Sequence, residues 1–150
     1  MARKWVLLSV ASCAFLALQQ PTWGKESGEG FPTHLPHRVV MHLNSGDEKV
    51  QRGALNNIKN LYQALGREHL TVELVVHGAG LPLLIKKHTT SAAELIDLKQ
   101  AYNVQYTACS NTMKTKNVTR EDLIDEAGDT VPAMVRLMER QEQGWAYIKP

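Results

Sequence analysis

The chain has 150 residues, with 17 Lys and Arg against 15 Asp and Glu and a formal net charge of +2. That length suffices for one domain with its own core and gives no reason to divide it in two. All 15 acidic residues lie beyond position 24 while Arg3 and Lys4 precede it, so the remainder is formally neutral and offers no basic footprint for nucleic acid or an anionic membrane.

Met1 to Lys4 is basic, and Trp5 to Leu18 follows as an apolar run broken only by Ser9 and Ser12, too short to span a bilayer comfortably. Gln19, Gln20 and Pro21 end it before the small residues Thr22 and Gly24, the pattern of a secretory signal cleaved near Gly24. The expected location is periplasmic or secreted. A competing reading takes Val10-Ala11-Ser12-Cys13 as a lipobox, which would lipidate Cys13 and tether the chain to a membrane. Against it, Ala14 to Leu18 is apolar where a mature lipoprotein usually begins with polar residues. The expected organisation is a signal peptide at 1–24, a flexible lead-in at 25–37 carrying Gly28, Gly30, Pro32 and Pro36, and one domain at 38–150.

Arg38 to Leu43 is a nearly continuous apolar run, as in a strand covered on both faces. Ser45-Gly46-Asp47-Glu48 matches a capping box. Val50, Ala54, Leu55, Ile58, Leu61, Tyr62 and Leu65 then mark the inner stripe of a helix that Gly66 ends. Leu70 to Val76 is a second strand, with Glu73 favouring an edge position. Leu81 to Ile85 is apolar and proline-broken, the pattern of a short turn packed against the domain or another subunit. Ser91 to Glu94 repeats the capping box before a helix that ends near Asn103.

Val104 to Ala108 is a third strand, leading to Cys109. Thr119 to Asp122 opens a short expected helix enclosing Leu123, Ile124 and Ala127 and ending at Gly128. Thr130 caps another, with Pro132 in its first turn and Met134, Val135 and Met138 facing inward, and Trp145 to Ile148 is a closing strand. This alternation predicts an α/β fold with a small, mostly parallel, doubly wound sheet.

Three strand ends should converge, because ligands of open α/β sheets bind beyond the carboxyl ends of the strands. They bring Asn44 and Ser45, His77, Gly78 and Gly80, and Cys109 with Ser110, Asn111 and Thr112 to one crevice. Once the signal is removed Cys109 is the sole thiol, so no internal disulfide can form. At the start of a helical or nest-like turn its thiolate would be stabilised by amide groups, with Lys114 and Lys116 adding to the effect. The bland alternative is a small apolar residue at a strand terminus. His77 is a candidate base or orienting partner, or a loop histidine with one backbone bond.

No metal and no cofactor is expected. His34, His37, His42 and His88 lack compact ligand spacing, and His42 inside its strand reads as a satisfied core histidine. Gly78-Ala79-Gly80 lacks the third glycine and the helix of a dinucleotide loop. Asp47 and Glu48 read as helix N-terminal charges, and no Gly-x-Ser-x-Gly elbow is present. Asn117-Val118-Thr119 matches a glycosylation acceptor, which matters only in a eukaryotic secretory pathway.

Residues 38–150 resemble the DsrE/DsrF-like family of small sulfur-relay proteins. The resemblance is carried by Val39-Val40-Met41-His42-Leu43-Asn44, Val76-His77-Gly78-Ala79-Gly80-Leu81, Ala108-Cys109-Ser110-Asn111-Thr112-Met113 and Gln143-Gly144-Trp145-Ala146-Tyr147-Ile148, the last looking like an exported subgroup. It implies a three-layer, flavodoxin-like α/β sandwich assembling as a homo-oligomer, trimer or hexamer, and a persulfide carried on the cysteine after a central strand, which Cys109 matches. The chain departs from the understood carriers in its expected export and in lacking a second cysteine that could pass sulfur on, so the sulfur donor and acceptor would be external. Two expectations follow: a persulfide-type sulfur carrier or transferase using Cys109, or a non-catalytic oligomeric module binding a small ligand around Asn44, His77 and Asn111 or a partner through 81–85.

Overall fold

The computed structural model describes residues 36–150, and the expected leader, Cys13 and the lead-in up to Leu35 lie outside the described residues. Strand β1 (His37–Leu43) leads through helix α1 (Glu48–Leu65) to β2 (Leu70–Val76), a 3-10 turn (Gly78–Leu84) and α2 (Ala92–Tyr102). Then follow β3 (Gln105–Cys109), α3 (Ser110–Lys116), β4 (Ala127–Val131), α4 (Ala133–Glu142) and β5 (Ala146–Ile148).

The five strands form one parallel sheet in the order β4-β3-β2-β1-β5. The chain steps outward from β1 to β4, and α4 then returns it to the far side of β1. Alternation along each strand divides the side chains between the two faces. Val39, Met41 and Leu43, Val72, Leu74 and Val76, and Tyr106 and Ala108 meet Leu55 and Ile58 of α1 and Leu95 and Leu98 of α2 in the larger core. Each of these larger aliphatic side chains contributes about 1.5–3 kcal/mol by leaving water. Val40, Val75 and Cys109 point to the other face and pack under Ala133 and Leu137 of α4, with Trp145 beside them. Helices on both faces of the sheet make this the expected three-layer, flavodoxin-like sandwich.

Several local expectations differ from what forms. Asp47, not Ser45, caps α1 by accepting from the Lys49 amide, and Ser45 Oγ accepts from the Asp47 amide instead. Gln51 takes the inward place expected for Val50, which is exposed, because its amide reaches the Ser45 carbonyl at 3.0 Å. Ser91 makes no side-chain cap at α2. Residues 119–126 bury Leu123 and Ile124 without forming a helix, and a fourth strand replaces the expected helix end at Gly128. There Asp122 accepts from both the amide and the hydroxyl of Thr119, closing a turn, and β3 offers an open edge to Ala127–Val131. Leu81, Leu83, Leu84 and Ile85 are buried in the chain's own core, so that segment is no partner surface.

The largest departure is at Glu73. It does not mark an edge: β2 pairs with β1 and β3, and Glu73 is only 1% exposed. Thr107 Oγ1 donates to its carboxylate at 2.5 Å, Arg136 Nε lies 3.3 Å away, and Arg140 Nε donates to the second oxygen. With both half-buried arginines turned inward, the inner stripe of α4 is Ala133, Arg136, Leu137 and Arg140, while Met134, Val135 and Met138 face out.

Replacing Arg136 and Arg140 together by Met strands a buried carboxylate, and the expected loss is about 3–5 kcal/mol in urea unfolding. Adding Glu73→Leu to that variant should restore most of it. A loss no larger than that of an exposed substitution would show that the carboxylate does not hold α4.

Candidate functional site

Cys109 ends β3 and stands at the N-terminal boundary of α3, so its sulfur lies where the ladder stops and helical amides begin. It is 6% exposed, seated among Val40, Val75, Ala133, Leu137 and Trp145. The seat is not purely hydrocarbon. The Ala133 amide donates to Sγ at 3.4 Å from the first residue of α4. Thr112 Oγ1 accepts from the Gly78 amide at 3.0 Å, which leaves its hydroxyl proton for the sulfur. Burial pushes the thiol up, but the Thr112 hydroxyl and the amides of Ala133, Thr112 and Asn111 together outweigh it, so the pKa falls below the ordinary value.

On the same face of the sheet, at the carboxyl end of the ladder, two imidazoles meet, His42 inside β1 and His77 just past β2. His42 Nε2 lies 2.6 Å from His77 Nε2 with the rings stacked at 4.8 Å, and His42 Nδ1 lies 2.6 Å from the Tyr147 hydroxyl. Continuing the β2–β3 register one step past Val76 and Ala108 sets His77 opposite Cys109. Burial lowers both histidines. His77 and then Lys149 lower His42 further, and Lys149 does the same to His77.

Two open grooves flank the thiol, and Cys109 lines neither. One of about 380 Å³ is walled by His42, Met134, Leu137, Met138, Gln141, Glu142 and Tyr147, the other of about 430 Å³ by Gly78, Ala79, Asn111, Thr112, Thr115 and Lys116.

The residues singled out from sequence separate into three groups. Gly78 is hydrogen-bonded to Thr112, whose hydroxyl favours the Cys109 thiolate, as does the amide of Asn111, which also lines the second groove. Ser110 is half-buried at the first position of α3. Asn44 is exposed, and Ser45 serves the start of α1. Gly80 is packing: a Cβ there would lie 3.0 Å from the Leu43 carbonyl oxygen and 3.3 Å from Asn44 Cα, so only glycine lets the 3-10 turn press against the end of β1. Sequence reasoning missed Tyr147 and Ala133 and set His42 aside as a core residue. Tandem apolar and aromatic residues in a short strand carry no signal for a hydroxyl that meets a histidine across the sheet. Among the described residues no group of three or more His, Cys, Asp or Glu is placed to hold a metal, and no helix is long and apolar enough to cross a membrane.

A parallel α/β sandwich with a cysteine at the end of β3, held by a helical turn and the facing helix, defines a class of small thiol-bearing domains. Residues 39–150 match the DsrE/DsrF-like family, and the chain belongs to it. Among solved structures it is similar to a protein of unknown function, MTH1491 of Methanobacterium thermoautotrophicum, at 28% identity and a TM-score of 0.71, covering 76% of this chain and 99% of that one. The ychN protein of E. coli superposes with a TM-score of 0.60 at 14% identity, covering 76% and 99% of the two chains. BT1422 of Bacteroides thetaiotaomicron, a conserved protein of unknown function, does so at 0.54 and 17%, covering 75% and 94%. These last two likenesses show the fold alone. No curated protein sequence matches the chain.

Because both imidazoles titrate below the ordinary 6.5 in the folded protein, their stabilising effect is complete above that pH. As pH falls through 6.5 the unfolded chain takes up protons first, and stability declines until the folded values are passed. The urea midpoint should therefore drop on mild acidification, and the double variant His42→Asn/His77→Asn should show a shallower slope. Equal slopes in the two proteins would dismiss the effect.

Proposed function

We propose that this protein carries sulfane sulfur as a persulfide on Cys109, the finer reading of a family linked to sulfur relay. The observation that carries it is the thiol's setting: a sulfur at the carboxyl end of β3, with the Ala133 amide and the Thr112 hydroxyl favouring its anionic form. The thiolate attacks the outer sulfur of a donor persulfide or polysulfide. A new Cys109 S–S bond forms, the donor's S–S bond breaks, and its electron pair leaves with the donor thiolate, with no net oxidation. Release to an acceptor thiolate is the same step reversed. Cys109 is the one free cysteine among the described residues, so donor and acceptor are external molecules.

Two further expectations belong to this reading. Export to the periplasm or beyond is supported by the signal-like pattern at 1–24. Assembly into a trimer or hexamer is supported by Met134, Val135, Met138 and Tyr147, large apolar side chains exposed on or beside α4.

A second reading keeps the protein as a non-catalytic oligomeric binding module, and the observation favouring it is the 6% exposure of Cys109, with both grooves lined by other residues.

Incubation with polysulfide followed by intact-mass spectrometry separates the two. The carrier gains whole sulfur atoms that a reducing agent removes, and Cys109→Ser gains none. If wild-type Cys109 is alkylated by iodoacetamide yet takes up no sulfur, the carrier reading is wrong and the module stands.

A further inference from the structure

We propose that Tyr147, His42 and His77 form a positioning array that sets the hydrogen bonding of Cys109 through the Gly78 amide and the Thr112 hydroxyl. Three observed contacts lead from the surface to Thr112, the residue whose hydroxyl favours the thiolate. Tyr147 meets His42 Nδ1 at 2.6 Å, and His42 Nε2 meets His77 Nε2 at 2.6 Å. With both rings neutral, only one proton lies between each pair of atoms. A Tyr147 hydroxyl that donates to His42 puts the His42 proton on Nε2 and the His77 proton on Nδ1. The opposite arrangement reverses all three, and in either one the His77 ring is clamped.

His77 is the residue before the 3-10 turn, and the nitrogen of Gly78 belongs to the peptide joining the two. Clamping His77 therefore restrains that peptide plane, with Gly78 at φ +57°, a conformation glycine adopts without strain. The same nitrogen donates to Thr112 Oγ1 at 3.0 Å, occupying a lone pair and directing the single hydroxyl proton toward Cys109. No other polar contact of the Thr112 side chain competes among the described residues. The groups facing the array are Lys149 after β5, Glu142 of α4 in the groove that His42 lines, and Lys116 of α3 beside Gly78 and Thr112. Tyr147 is half-exposed, so the array begins at the surface and ends at a buried sulfur.

The inference deepens the carrier reading and rests on it for purpose, but its test uses no sulfur donor. The rate of Cys109 alkylation by iodoacetamide is followed against pH in the wild type, Thr112→Val, Tyr147→Phe and the double variant. Thr112→Val should raise the apparent thiol pKa by about one unit, the value of one lost hydrogen bond to the anion. Tyr147→Phe, which keeps the ring, should raise it by less, and His42→Gln should do the same. The double variant Thr112→Val/Tyr147→Phe should titrate like Thr112→Val alone, an outcome that a general loss of stability does not produce. A Tyr147→Phe profile equal to the wild type, or additive shifts in the double variant, would overturn the array. A wild type that takes up no sulfur from polysulfide would sink the carrier reading and leave this result standing.

Discussion

A single buried carboxylate governs how this molecule is put together. Glu73 sits in the central strand with 1% of its surface exposed, where a charge without partners is very costly. Thr107 supplies a hydroxyl from the neighbouring strand, and Arg136 and Arg140 supply two guanidinium groups from α4. Because the arginines are four residues apart they share one helix face, and satisfying Glu73 fixes the rotation of α4 about its axis. Asp129 holds Arg136 from β4, and Arg140 also lies over the Trp145 ring at 4.4 Å. The consequences reach the candidate site directly. With α4 so rotated, the Ala133 amide meets the Cys109 sulfur, Leu137 packs beside it, and three apolar side chains are left facing solvent.

Two opposed effects then decide the state of that sulfur. Removal from water disfavours a thiolate, and the hydrocarbon of Val40, Val75 and Leu137 does this to Cys109. Fixed donors favour it, and here they come from two separate elements, α3 and α4, while the turn after β2 donates to Thr112. The donors win. A surface cysteine would face neither effect, so the combination requires the strand end, the helix start and the facing helix to be in register together. Gly80 belongs to the same requirement, since a Cβ there would crowd the backbone of Leu43, Asn44 and Ser45, against which the turn is packed.

Much of this was legible in the sequence, because it rests on local pattern. The apolar runs located three central strands, the i, i+3, i+4 stripe located α1, and the change from apolar to small polar residues at Cys109 located the strand end. The failures share one cause. Expecting Glu73 at an edge and Met134, Val135 and Met138 inside both follow from treating charge as exterior and apolar side chains as interior, a rule that fails when a buried acid and two distant arginines satisfy one another. β4 was missed because Ala127–Val131 has little strand propensity of its own and forms by pairing with the β3 edge. His42 was set aside for the same reason in reverse: its partners lie 35 and 105 residues away, and no local spacing reports them.

The topology explains why the histidines and the thiol are neighbours without touching. In an open parallel sheet the crevice opens where the strand order reverses. Here that point lies between β1 and β5, because the chain fills β2, β3 and β4 on one side before α4 carries it back to the other. His42 and Tyr147 occupy the strands on either side of it, whereas Cys109 ends β3, two strands from β1. His77, just past β2, is the residue between them: its ring belongs to the β1–β5 crevice and its backbone to the turn that reaches Thr112. The carboxyl edge thus holds one row, from a phenol partly open to solvent to a sulfur shielded from it, and the central strand that joins its two halves is the strand anchored by Glu73.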